Sequence, residues 1–329
     1  MSAVAPTLQA FFTERLARQL DASPHTIAAY RDTFRLLLAF VHQRIGKAPC
    51  NLDFEDLDGP VVGDFLAHLE TARGNSVRTR NARLAAIHSL FRFAAFRHPE
   101  HAALIQRVLA IPPKRFERAL VTFLDLPQIE ALLAAPNRST LTGRRDHALL
   151  LLAVQTGLRL SELTGLRLQD VHLGPGAHLR CFGKGRKERI TPLTQQTIAV
   201  LRTWLRERGG QPADLLFPSR LGGRLSPDAV QRLVRNHAQA ARLQEPSLNG
   251  KTVTPHVLRH SNAMQLLTSQ VDTSTIALWL GHENVRTTQI YLHADLALKE
   301  RALARTTPLL TKPGRYRPPD TLLAFLTGL

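Results

Sequence analysis

The chain has 329 residues, 44% of them apolar, and carries 43 Lys+Arg against 26 Asp+Glu, a formal net charge of +17. That length and apolar content exclude a disordered chain and suit two domains of ordinary size. Cys50 and Cys181 stand in unrelated contexts, which excludes a disulfide framework or a cysteine-based zinc site and fits a reducing cytoplasm.

The charge excess favours a polyanionic partner, because each cation placed on a phosphate releases a condensed counterion. A generally arginine-heavy composition would look the same, so charge alone does not decide. The residues from Met1 to Gln9 carry no basic stretch followed by an apolar one, so no secretory signal is expected.

The first third reads as a helical bundle. Leu8, Phe11, Phe12, Leu16 and Leu20 recur at helical spacing, and a break at Asp21-Ala22 precedes Ser23-Pro24, a cap followed by proline at the first helical position. Ile27, Tyr30, Phe34, Leu37, Leu38 and Val41 then mark one apolar face. Pro60 opens a third helix with Val61, Phe65, Leu66 and Leu69, stopped by Gly74. A fourth, from Ser76, places Leu84, Ile87, Leu90, Phe91 and Ala94 inside.

The first turns of that fourth helix carry Arg78, Arg80 and Arg83. Cations there oppose the macrodipole, so an external anion such as a DNA phosphate would relieve them; a solvated polar face is the other reading. Pro112-Pro113-Lys114-Arg115-Phe116-Glu117-Arg118 is poor helix and strand material. It reads as a basic linker, with Lys114, Arg115 and Arg118 as candidate DNA contacts, or as an ordinary connector.

The expected division is a helical domain over 1–110, a linker over 111–119, a second domain over 120–311 and a tail over 312–329. The second domain opens on Asp125-Leu126-Pro127-Gln128, which resembles a capping box. The longest apolar run, Ala148 to Val154, is too short to span a bilayer and reads as a buried helix ending near Gly157. Short extended segments follow at Leu179 to Phe182 and Arg189 to Leu193, joined by the Gly183-Lys184-Gly185 turn. Helices return over Gln195 to Arg208, Ser226 to Ala241, His256 to Thr268, Asp272 to Leu280 and Val285 to His293. The fold class is therefore mainly α, a helical bundle plus an α-rich domain with a small antiparallel sheet.

Four boxes in the second domain carry chemistry: Thr156 to Leu163, Gly183 to Lys187, Thr254 to His260, and Leu280-Gly281-His282 followed by Thr287-Thr288-Gln289-Ile290-Tyr291. Each has a bland reading alone. Arg159 and Glu162 would make a helix-surface ion pair of small energy, and Gly183 to Lys187 an ordinary charged turn. His256 and His260 stand four apart, as two metal ligands can, but no glutamate lies between them and no third ligand is evident in sequence. No metal or cofactor is expected.

Together the boxes resemble the tyrosine recombinases, or phage-type integrases, and within them the Xer-like bacterial members. HxxRH, then LGH, then TTxxY is a specific order, and the Ser-Pro-x-Thr-Ile-x-x-Tyr-Arg start at Ser23 resembles the family's core-binding domain. The resemblance implies that Arg159 and Arg259 grip the scissile phosphate, that Tyr291 attacks phosphorus and that His256 takes or relays its proton. It gives Lys184 the role of protonating the departing 5′-oxygen and His282 a bond to a phosphate oxygen. Glu162 and His260 would support that set from behind.

The implied activity is site-specific recombination through a 3′-phosphotyrosine, for integration or transposition of a mobile element or for Xer-like resolution. The expected partners are double-stranded DNA, clamped between the domains, and related protomers in a homo- or hetero-tetramer, with no membrane. The alternatives are a non-catalytic DNA-binding accessory protein of the same fold and a type IB topoisomerase. Leu322, Leu323, Phe325 and Leu326, in a tail longer than the simpler Xer-like pattern, are expected to dock on a neighbouring subunit, or else in cis.

Overall fold

The computed structural model describes residues 4–116, 121–183, 188–281 and Thr288. The chain divides into two compact units between residues 118 and 119, each with its own core.

In the first unit, α1 (Val4–Ala10) runs directly into a π-helical stretch, Phe11–Gln19. The break at Asp21 is a residue with positive φ of 42°. The Ser23 hydroxyl accepts from the Thr26 N–H and starts α2 (Pro24–Ile45). Asp58 does the same for α3 (Gly59–Thr71), and Ser76 for α4 (Val77–Ala95). Each cap satisfies one of the donors that a helix leaves unpaired at its start. A further helix, α5 (Ala102–Leu109), closes the bundle.

Phe11, Phe34, Phe54, Phe65 and Phe91 are buried at the centre of this unit, and Phe11 meets Phe34 edge to face at 6.1 Å. Each such ring contributes about 1.5–3 kcal/mol by leaving water. Residues 111–116 lie along α4 and belong to this packing. Arg80, 6% exposed, donates to the Pro112 carbonyl at 3.2 Å. Asn81 clamps the Lys114 backbone at both its carbonyl (2.8 Å) and its N–H (3.0 Å).

The second unit begins with the capping box of Asp125 and Gln128 at α6 (Leu126–Ala134). Its centre is α7 (Leu141–Thr156), along which every residue from Asp146 to Val154 is buried. A helix apolar on nearly all sides is one surrounded by others. A short helix, α8 (Leu160–Gly165), leads to the sheet. There β1 (Val171–His172), β2 (His178–Phe182) and β3 (Glu188–Pro192) pair antiparallel in that order. Cys181 stands opposite Arg189 in the register.

Four more helices complete the described part: α9 (Gln195–Arg208), α10 (Pro227–Ala241), α11 (Pro255–Thr268) and α12 (Thr273–Leu280). Ala263, Met264 and Leu267 of α11 pack on Ile276 and Leu280 of α12. That contact places the end of α12 beside the end of α7.

Candidate active site

The site is assembled from helix ends. Gly157 and Gly281 stop α7 and α12 in left-handed conformation, with φ of 61° and 64°. The last carbonyls of a helix lack intrahelical partners and carry its partial negative charge. Two guanidiniums occupy those carbonyls.

Arg259 reaches them from α11, which Thr254 caps through the Val257 N–H with Pro255 in its first turn. Only 4% exposed, Arg259 donates to Gly157 O at 2.5 Å and to Leu280 O at 2.7 Å. Arg159 precedes α8 and donates to Gly281 O at 2.7 Å. Its side chain stays 32% exposed, so part of it is open to solvent.

Glu162 fixes Arg159 twice. Oε2 accepts the Arg159 backbone N–H at 2.8 Å, and Oε1 accepts from Nη1 at 2.9 Å. The carboxylate side chain is 3% exposed, which makes both bonds strong relative to a solvated pair.

A third arginine, which reading the sequence did not single out, completes this cluster. Arg189 of β3 donates from Nη2 to Glu162 Oε2 at 3.0 Å, with its side chain 10% exposed. Burial pushes the thiol of its cross-strand neighbour Cys181 up, against the opposing pull of Arg189, so the thiol stays neutral. The charge of Arg189 is answered by Glu162.

His256 sits in the first turn of α11, open to solvent on one side and crowded on the other. Lost hydration first, then the positive charge of Arg259, hold its imidazole below the ordinary histidine range. Neutral near pH 7, such a ring accepts a proton. Buried His260 packs edge to face on it, ring centroids 4.1 Å apart. Among the described residues, no group of three His, Cys, Asp or Glu is placed to hold a metal ion.

Lys184, His282, Tyr291 and the tail residues Leu322, Leu323, Phe325 and Leu326 lie outside the described residues, as does Arg118. Thr288, from the box that ends at Tyr291, is fully buried. Two candidate DNA contacts have partners within the protein, one buried and one at the surface. Arg80 is buried against the backbone at Pro112, and Lys114 pairs with Glu70 at 2.7 Å. Arg78 lies over the Phe116 ring at 5.5 Å, Arg83 is half-buried and Arg115 is exposed.

Residues 122–297 match the Phage integrase family, and residues 10–98 match its N-terminal SAM-like domain. The chain belongs to the phage integrase family. A protein of Sinorhizobium fredii named "Putative integrase/recombinase y4rC" is 59% identical over 328 residues, covering 100% of this chain and 99% of that one. The tyrosine recombinase XerC of Pelobacter propionicus is 35% identical over 291 residues, covering 87% of this chain and 90% of its own. A crystal structure of the XerH site-specific recombinase bound to palindromic difH substrate, a post-cleavage complex, aligns with a TM-score of 0.66 at 24% identity. It covers 87% of this chain and 81% of that one, a likeness of fold. The Xer-like, two-domain, mainly α architecture expected of this integrase-family chain is the one it has.

Proposed function

We propose that this integrase-family protein is a site-specific DNA recombinase that cleaves and rejoins duplex DNA through a 3′-phosphotyrosine at Tyr291. One observation carries the reading: Arg159, just before α8, and Arg259, within α11, are tied to the adjacent carbonyls of Gly281 and Leu280, with part of Arg159 left open. The y4rC and XerC relatives, named as recombinases, and XerH, caught with cleaved difH, support the same chemistry.

In this reading the two guanidiniums hold the non-bridging oxygens of the scissile phosphate. Those oxygens gain charge as phosphorus becomes five-coordinate, so fixed donors favour the transition state over the ground state. The Tyr291 oxygen forms a bond to phosphorus while the bond from phosphorus to the 5′-oxygen breaks. The phenol proton, with an ordinary pKa of about 10, passes to His256. Lys184 gives a proton to the departing 5′-oxygen, and His282 bonds a phosphate oxygen. The new phosphodiester retains the energy of the old, so attack by another strand's 5′-hydroxyl reverses the step without ATP.

Both units engage the duplex, the first acting as the core-binding domain. Four protomers, alike or related, carry out paired strand exchange in the cytoplasm. The biological role is integration or transposition of a mobile element, or Xer-like resolution. The tail from 312 docks through Leu322, Leu323, Phe325 and Leu326 on a neighbouring protomer. Removing residues after Pro313 should abolish cooperative assembly while sparing single-site binding; unchanged assembly rejects this docking.

A suicide duplex tests the chemistry. Wild type traps a covalent adduct and Tyr291→Phe binds without trapping. Binding with no adduct from wild type would instead identify a non-catalytic accessory protein.

A further inference from the structure

Arg189 stands on β3, a few residues after Lys184 in the sequence, and its guanidinium reaches the Arg159 cluster. It bonds Glu162 Oε2 at 3.0 Å, the same oxygen that accepts the Arg159 backbone N–H at 2.8 Å. It also fills the space beside Gly281, where a Cβ would meet Nη1 at 2.5 Å. Gly281 is the residue whose carbonyl holds Arg159. Arg189 therefore touches both supports of Arg159, the carboxylate and the carbonyl-bearing residue.

Pairing with Glu162 is only part of the reason for an arginine there. Its Nε is buried with no hydrogen-bond partner, and Glu162 already accepts two bonds from Arg159. The neutral thiol of Cys181 across the strand does not answer its charge.

Resting on the recombinase reading above, we infer that Arg189 is a positioning residue: through Glu162 and Gly281 it holds Arg159 aimed at the scissile phosphate and ties that aim to the base of the Lys184 hairpin. Glu162, set between two guanidiniums, is held at both oxygens. Without Arg189 the carboxylate keeps only its two bonds to Arg159, and the pair is no longer anchored to β3.

The test uses the full chain and a nicked duplex selected from a random-sequence pool by binding to wild type. One version carries the ordinary phosphate at the cleaved position, and another carries a methylphosphonate, which lacks the charged non-bridging oxygen. Arg189→Met, which keeps the volume, is expected to slow adduct formation about 100-fold on the phosphate, the scale of a small misplacement at a reacting centre. Affinity for the duplex stays as in wild type, and Arg189→Lys recovers part of the rate.

On the methylphosphonate the penalty shrinks, because the guanidinium has less charge to meet. Combined with Glu162→Gln, the loss falls well short of the product of the two single losses, as coupled residues require. Wild-type rates from Arg189→Met, equal penalties on both duplexes, or independent effects would each overturn the inference. An absence of adduct from wild type on both duplexes rejects the recombinase reading itself, and this inference falls with it.

Discussion

Arg159 and Arg259 donate to consecutive backbone carbonyls, those of Gly281 and Leu280, each at 2.7 Å. Two like charges are thereby held side by side by the negative end of one helix, α12. Their mutual repulsion is lowest when an anion lies between them, which preorganises the pair for a phosphate.

Gly157→Ala should be severe. A Cβ there would stand 2.6 Å from both Asn262 Oδ1 and Leu280 Cδ2, on a backbone with φ of 61°. A loss on the order of 3 kcal/mol is expected, together with loss of cleavage, because the carbonyl that holds Arg259 moves. Gly176→Ala, at φ of 68° with nothing within 4 Å, is the control. It should cost about 1 kcal/mol and leave cleavage intact, as read by chemical denaturation and adduct formation.

The acid limb of the cleavage rate should lie below the ordinary histidine value. Desolvation and Arg259 hold His256 low, so it remains a proton acceptor until the pH falls beneath about 6.5. A single-turnover pH profile on the suicide duplex reads this directly. A limb centred above pH 7 would rule out His256 as the acceptor.

Stability should also fall on acidification. Burial, the leading cause in each, holds His88 and His147 below their ordinary value, despite bonds to the carbonyls of Val108 and Leu133. The unfolded chain then binds protons more readily than the folded one. The contribution is complete above about pH 6.5 and is lost as the pH drops through that value toward the lowered folded ones. Thermal melting between neutral and mildly acid pH measures it.

The basic residues of the first unit should separate into two classes. Arg78→Ala and Arg115→Ala, at exposed positions, should each lower the slope of log affinity against log salt by about 1, the signature of one lost phosphate contact. Arg80→Met should leave that slope unchanged, because Arg80 spends its guanidinium on Asn81 and Pro112. Asn81→Ala should open residues 111–116 to trypsin at Lys114 and Arg115, and cost about 1–3 kcal/mol for two backbone hydrogen bonds.

Helix starts were legible in the sequence because capping is local. Ser23, Ser76, Asp125 and Thr254 each precede a helix and bond a backbone N–H three residues on. The helix α5 was not legible: His101 precedes it with no side-chain cap, so nothing within a few residues announces it. The family boxes pointed to Arg159, His256 and Arg259, and the fold brings the two arginines onto neighbouring carbonyls. Arg189 escaped notice because its meaning is tertiary, resting on a carboxylate in another element. Arg80 misled for the converse reason, since a charged residue in a first helical turn looks solvated until the chain folds over it.

The successive carbonyls of Leu280 and Gly281 each hold one guanidinium. Anchoring both cations on neighbouring carbonyls at the end of α12 couples their positions to that one helix. A displacement of α12, from whatever source, therefore carries both guanidiniums with it.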